Sequence, residues 1–198
     1  MQSWILFKKY LVFTGAATVF SFLTIVILLP DEPFVSFAQN VVPMNSGLPV
    51  RIRIPAIQGD AAILPVGFAP DGAMGVPEDP SDVAWFKLGP KPGEIGSAVL
   101  AGHFGWKDNI PAVFDDLKTL KVGDKIFIEN AKGETITFDV QALRTFGEKG
   151  NAADVFSSND GKAHLNLVTC EGVWNKTSKS YSERLVVFAD KVDSASSP

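Results

Sequence analysis

The chain has 198 residues, 46% of them hydrophobic and 20% charged, which is enough to bury one good core but not two, so a single globular domain is expected. A formal net charge of -4, with no run of Lys and Arg interleaved with aromatics, offers phosphates no general attraction and argues against a nucleic-acid partner. The single cysteine excludes an internal disulfide framework.

Residues 1–9 are read as a short cytoplasmic N-terminus ending in Lys8 and Lys9. Residues 10–29 (YLVFTGAATVFSFLTIVILL) are uncharged and mostly apolar. At about 1.5 Å per residue they match a hydrocarbon core of about 30 Å and predict a transmembrane signal-anchor helix. Asp31 and Glu32 follow it, so the positive-inside rule leaves the remainder of the chain outside the cell membrane. A cleaved signal peptide is the competing reading, because Ser36-Phe37-Ala38 has the small residues of a cleavage site, although the apolar stretch exceeds the usual signal core of about 7 to 15 residues. Residues 30–49 carry four prolines and predict an extended linker.

From residue 50 to about 190 the pattern is that of a mostly β domain. Val50-Arg51-Ile52-Arg53-Ile54 alternates apolar and charged residues, as a half-buried strand does. Further strands are expected at Ala61 to Val66, Ala98 to Ala101, Lys125 to Glu129, Thr135 to Leu143, His164 to Thr169 and Leu185 to Ala189. Asn130-Ala131-Lys132-Gly133 reads as a hairpin turn. Val113, Phe114, Leu117 and Leu120 predict a short helix over Ala112 to Leu120, and a second short helix is expected just before Leu88. Many short strands with 17 glycines and 13 prolines favour a closed or nearly closed barrel. Residues 191–198 are expected to be a disordered tail.

Outside the cytoplasm a lone cysteine is either buried and inert or reactive. Cys170 ends the run His164-Leu165-Asn166-Leu167-Val168-Thr169 and precedes Glu171-Gly172, so it is expected where a strand opens into a loop. A reactive thiol needs a partner that stabilises the thiolate and later protonates a leaving amine, a task suited to imidazole. The two histidines are His103 and His164. Six residues along one strand put His164 about 20 Å from Cys170, far beyond hydrogen-bond reach of about 3 Å, so it is read as an ordinary polar residue at a strand start. His103 follows Ala98-Val99-Leu100-Ala101, between Gly102 and Gly105, and is the candidate partner. Acyl transfer also needs positive charge at the developing oxyanion. Arg184 opens the run Leu185 to Ala189 and would lie beside Cys170 if the two strands pair antiparallel; a surface ion pair with Glu183 or Asp190 is the alternative.

Ala101-Gly102-His103, then Leu167-Val168-Thr169-Cys170, then Arg184-Leu185-Val186-Val187-Phe188-Ala189, in this order behind a membrane anchor, resemble the sortases. The resemblance spans Arg51-Ile52-Arg53-Ile54-Pro55 to Ala189 and includes Gly72-Ala73-Met74-Gly75-Val76-Pro77, which is similar to the small housekeeping-like sortases of classes E and F. Asn166 departs from the family's cysteine motif, where a Thr precedes the Cys by four. The resemblance implies an eight-stranded barrel with short helices and a Cys170, His103 and Arg184 site. It implies attack of Cys170 on the Thr-Gly bond of an LPXTG-like sorting signal on a secreted protein, and transfer of the thioester to an amine acceptor such as a peptidoglycan precursor. Trp106, Trp174 and Thr169 are the candidate peptide contacts. No cluster of Cys, His and carboxylates has metal-ligand spacing, so neither a metal nor another cofactor is expected; Glu94, Asp115 and Asp116 do not form a legible calcium loop. The competing functions are an extracytoplasmic cysteine protease or thioesterase that transfers to water, a non-catalytic peptide-binding module, and a pilus-polymerising sortase.

Overall fold

The computed structural model describes residues 47–147, 150, 152–178 and 180–193. The expected cytoplasmic N-terminus, transmembrane helix and most of the linker lie outside the described residues, as do residues 194–198 of the tail.

Eight strands close into a barrel: β1 (Pro49–Ile54), β2 (Gly59–Val66), β3 (Val83–Phe86), β4 (Gly96–Gly102), β5 (Lys125–Asn130), β6 (Thr135–Gly147), β7 (Ala163–Asn175) and β8 (Ser180–Lys191), in the order β1-β2-β3-β4-β7-β8-β6-β5. Closure leaves no edge strand with unpaired backbone groups. On β1 the alternation seen in sequence becomes two faces. Ile52 and Ile54 enter the core, while Arg51 stays outside and pairs with Asp60 through Nε to Oδ1 at 2.6 Å and Nη2 to Oδ2 at 2.5 Å. The turn expected at Asn130–Gly133 joins β5 to β6. Gly133 donates its N–H to the Asn130 carbonyl at 2.9 Å with φ +80°, a conformation suited to glycine.

Four of the local expectations change. The stretch before Leu88 is strand β3, not a helix. Val83, Ala84 and Trp85 are all buried, because one face lines the core and the other is covered, so the period-2 signature of a half-exposed strand is missing. Ala112 to Leu120 contains turns and a 3-10 helix at Leu117–Thr119, not an α-helix. Its large buried side chains Phe114, Leu117 and Leu120 recur every three residues, which is the 3-10 repeat, not 3.6. The β7–β8 hairpin is longer than expected: β7 runs on to Asn175 and β8 starts at Ser180, so Cys170 lies within a strand and not where a strand opens into a loop. Lys191, placed in the tail by sequence, is the last residue of β8.

Two apolar clusters organise the barrel. The main one fills the inside and includes Ile52, Leu100, Phe114, Phe138, Leu165, Leu167 and Val187. The second lies on the outer face, where Val99, Val155 and Val186 are buried with Met74, Phe86, Phe146, Val168 and Phe188 packed around them. Its cover includes α1 (Ala153–Phe156). Strand β4 is buried from Ser97 to Ala101 because it belongs to both clusters.

Candidate active site

On β7, Leu165 and Leu167 point into the barrel core, while Asn166 and Val168 belong to the outer side. Alternation along the strand therefore sets Thr169 inside and Cys170 outside. Thr169 is buried, and its hydroxyl donates to the Gly102 carbonyl at 2.8 Å. That bond ties the end of β4 to β7 immediately before the cysteine. Cys170 is half-buried.

Strands β4 and β7 run parallel, with Leu100 beside Leu167 and Ala101 beside Val168. Carried forward, the register sets Gly102 beside Thr169, in keeping with their hydrogen bond, and His103 beside Cys170. Neighbouring strands lie about 4.8 Å apart, so the chain leaves the end of β4 at His103 beside the part of β7 that carries Cys170. The path of the chain there is tightly bound. A Cβ at Gly102 would meet the Phe114 ring at 2.5 Å, and the Phe114 N–H donates to the His103 carbonyl at 3.1 Å. Gly105, at φ +62°, donates to Asp115 Oδ1 at 2.7 Å, while Asp115 Oδ2 accepts from the Ala112 N–H at 2.9 Å. Asp115 thus organises the loop that carries His103.

The imidazole is oriented from its far side. His103 Nε2 lies 2.7 Å from the Pro77 carbonyl oxygen, which can only accept, so Nε2 carries a proton and the remaining ring nitrogen is Nδ1. This partner is invisible to sequence reasoning, since a main-chain carbonyl has no residue-type signature; the only signal is that Pro77 closes the Gly72–Pro77 stretch. The Trp106 ring stacks edge-on to His103, centroids 4.5 Å apart.

Across the hairpin, β7 and β8 are antiparallel and Cys170 stands directly opposite Arg184. Directly opposed residues share a face, with Cβ atoms about 4.5–5.5 Å apart. This pairing depends on one irregularity. Near the turn Asn175 opposes Ser180 and Trp174 opposes Tyr181, but Glu171 opposes Glu183, so Gly172 and Val173 together face Ser182. The extra residue is a β-bulge with Gly172 at φ +85°. Without it the register nearer the turn would set Cys170 against Leu185, a buried core residue, and a one-residue slip turns every side chain to the other face. Gly172 is therefore structural support for the site. A side chain there would collide with Ser182 Oγ in addition to meeting the unfavourable φ. Gly172→Val is expected to lower kcat/KM by at least about tenfold through misplacing Arg184, while circular dichroism still reports a folded barrel.

In this state the Arg184 guanidinium bends along its own strand. Nη1 donates to the Tyr181 and Glu183 carbonyls, both at 2.9 Å, and Nη2 to Ser180 Oγ at 3.0 Å. Among the described residues its hydrogen-bond partners are carbonyls and a hydroxyl, not the carboxylates of Glu183 or Asp190. The second tryptophan, Trp174, is about half exposed and packs edge-on against Tyr181, centroids 5.1 Å apart; Tyr181 in turn meets Phe104 at 5.5 Å. Phe104 and Tyr181 join the two tryptophans as aromatic side chains bordering the site. Phe104, Lys118, Thr169, Cys170, Glu171 and Leu185 are among the residues lining a shallow cleft at the thiol.

His164 is held elsewhere, with Nδ1 2.7 Å from Asp190 and Nε2 2.9 Å from Asp160, so the structure keeps it apart from Cys170 as strand geometry requires.

The sortase-domain family model matches residues 52–192. Comparison with curated protein sequences gives no match. Solved structures similar to this one include sortase A from Corynebacterium diphtheriae, as a lid mutant, at 23% identity and TM-score 0.58 over 78% of this chain and 75% of that one. Sortase C1 of Streptococcus agalactiae aligns at 24% identity and TM-score 0.58 over 74% and 68%, and sortase C-1 from Actinomyces oris at 24% and 0.54 over 72% and 71%. At these identities the likeness is one of fold, while the family model covers most of the chain. With a closed eight-stranded barrel and a cysteine opposite an arginine on β7 and β8, the chain belongs to the sortase family of cysteine transpeptidases.

Proposed function

We propose that the protein is a membrane-tethered sortase that cleaves an LPXTG-like signal between Thr and Gly and joins the cargo to an amine of the cell wall. The observation that carries this reading is the strand order and register: β7 lies between β4, whose end at Gly102 leads straight into His103, and β8, which sets Arg184 directly opposite Cys170. The Cys170 thiolate attacks the Thr carbonyl carbon, and the carbonyl electron pair moves onto oxygen. Arg184 turns from its own-strand carbonyls to that oxyanion, where positive charge counts most in the transition state. The intermediate collapses as the His103 imidazolium gives its proton to the departing glycine amine. A thioester remains. The acceptor amine attacks it, His103 takes the amine proton, and the thiolate leaves as the new amide forms.

The outer side of β7 next to Cys170, where partly buried Val168 leads to the thiol above the buried cluster of Val99, Val155 and Val186, suits the leucine and proline of such a signal, with Trp106 and Trp174 at the margins. Thr169, whose hydroxyl is bound to Gly102, braces the floor of the site in this reading. Residues 10–29 anchor the chain with its N-terminus inside, so exported cargo and lipid-linked acceptor meet the enzyme at one membrane surface, which raises their effective concentration. The Gly72–Pro77 stretch supports placement with the class E and F housekeeping enzymes.

The test is incubation of the full chain with an LPXTG-type peptide library and an amine acceptor, with products followed by mass spectrometry. An amide to the added amine supports transpeptidation. A product unchanged by the amine would assign a protease or thioesterase instead. Arg184→Lys is expected to cost more than about tenfold in kcat/KM, since lysine keeps the charge but loses the planar fork of donors; a smaller loss would make Arg184 a mere surface charge.

A further inference from the structure

Helix α1 has four residues, and its N-cap Ala152 provides no side-chain hydrogen bond. A helix this short has no stability of its own, since isolated helices below about 12–15 residues are marginal even in favourable sequences. Yet its Val155 is buried in the outer apolar cluster between Val99 and Val186. Something must hold the segment there.

The fastener is Asn166, at the position where the sequence departs from the cysteine motif. It lies on the same face of β7 as Cys170, four residues earlier, and is 1% exposed. Its Nδ2 donates to the Val155 carbonyl at 2.7 Å. Because a carbonyl only accepts, this bond fixes the orientation of the amide. The other atom, Oδ1, is then buried without a hydrogen-bond partner among the described residues. One bond gained against one acceptor desolvated leaves little net contribution to stability. A buried amide that does not stabilise the barrel overall does, however, define where Val155 sits.

A second fastener holds the end of the same segment. His164 bridges Asp160, in the segment, and Asp190, on β8. Carboxylates only accept, so both bonds exist together only when the ring is protonated. Burial lowers the pKa of His164, but the two hydrogen bonds and the charges of Asp160 and Asp190 together outweigh it and raise the pKa above the ordinary value. Asp154 of α1 and Arg144 of β6 line the cavity that His164 also borders, Lys162 lies beside Asp160, and β4 presents the uncharged Ser97.

We infer that Asn166, aided by the Asp160–His164–Asp190 bridge, is a positioning residue that clamps residues 152–162 onto the outer face, with Val155 buried as the anchor, so that the exposed side of the segment, which carries Phe156, is held where the peptide runs toward Cys170. The inference rests on the transpeptidase reading for its effect on turnover, but its effect on the segment is independent of that reading.

The experiment compares the full chain with Asn166→Leu, which keeps the side chain's size while removing both the donor and the orphaned acceptor. Hydrogen exchange at the Val155 and Ser157 amides is expected to accelerate about fivefold, the loss of one hydrogen bond, with exchange in β7 and β8 unchanged and Tm shifted by less than about 4 °C. KM for an LPXTG-type peptide rises about fivefold while kcat holds within about twofold. Unchanged exchange in residues 152–162 overturns the inference, as does a general rise in exchange across the barrel, which would make Asn166 an ordinary core residue. If the wild-type chain turns over no peptide but the segment loosens as expected, the clamp stands and the transpeptidase reading fails.

His164→Gln, on the partly exposed edge, gives a second arm. The raised pKa means the bridge is complete below the ordinary histidine value of about 6.5 and is lost as pH rises through the raised one. Intrinsic-rate-corrected exchange over residues 158–162 therefore climbs across that window in the wild type and stays flat in His164→Gln. A wild-type profile without that climb removes the bridge from the clamp.

Discussion

Cys170→Ala is expected to abolish both cleavage of an LPXTG-type peptide and its transfer to an amine, a fall in kcat/KM of at least about 10⁴-fold. The chain has no second thiol, so nothing else can form a thioester at this site. The fold should survive the change. Cys170 is half-buried on the outer side of β7, outside the inner cluster built on Leu165 and Leu167, and its loss leaves no cavity in the main core. Peptide affinity should persist, because the outer side of β7 around the partly buried Val168 is untouched. The measurement is a mass-detected thioester and amide product alongside peptide binding by the variant. Turnover that continued in Cys170→Ala would sink the mechanism; loss of turnover together with loss of binding would point to a structural cysteine.

His103→Ala should cost about 10²- to 10⁴-fold in kcat, the usual contribution of a positioned acid and base. In the proposed reaction both half-reactions pass a proton through the imidazole, first to the departing glycine amine and then from the incoming acceptor. Free imidazole added to the variant is expected to restore part of the rate, because the vacated space keeps its protein partner, the Pro77 carbonyl that faces Nε2. His103→Gln is the sharper control: it can still donate to Pro77 but cannot shuttle a proton. Activity in His103→Gln within about tenfold of wild type would reduce His103 to an orienting group.

Much of this site is legible in the amino-acid sequence. One cysteine and two histidines leave few possible pairs, and strand geometry removes His164. Arg184 follows only on the supposition that its strand runs antiparallel beside the cysteine. The supposition holds, but for a reason no propensity conveys: the bulge at Gly172 and Val173 shifts the hairpin by one residue and sets Arg184, not Leu185, against Cys170. Asn166 stands out in the sequence only as a departure from a motif. Its bond to the Val155 carbonyl joins residues eleven positions apart through a main-chain atom, which residue types do not advertise.

What the sequence by itself determined was local and periodic. Alternation marks a strand when one face is wet, as on β1, and Asn130–Gly133 announces a turn because its glycine must adopt positive φ. The tertiary structure decided whatever depends on burial from both sides or on partners far along the chain. Strand β3 lacks alternation because both its faces are covered, and the spacing of Phe114, Leu117 and Leu120 suits an α-helix and a 3-10 turn alike until packing selects the turn. The pairing of β4 with β7, which brings the chain leaving β4 at His103 toward the part of β7 that carries Cys170, is parallel and long-range. Such a pairing is fixed only when the barrel closes, because its stabilisation comes from the shared core and not from either strand alone.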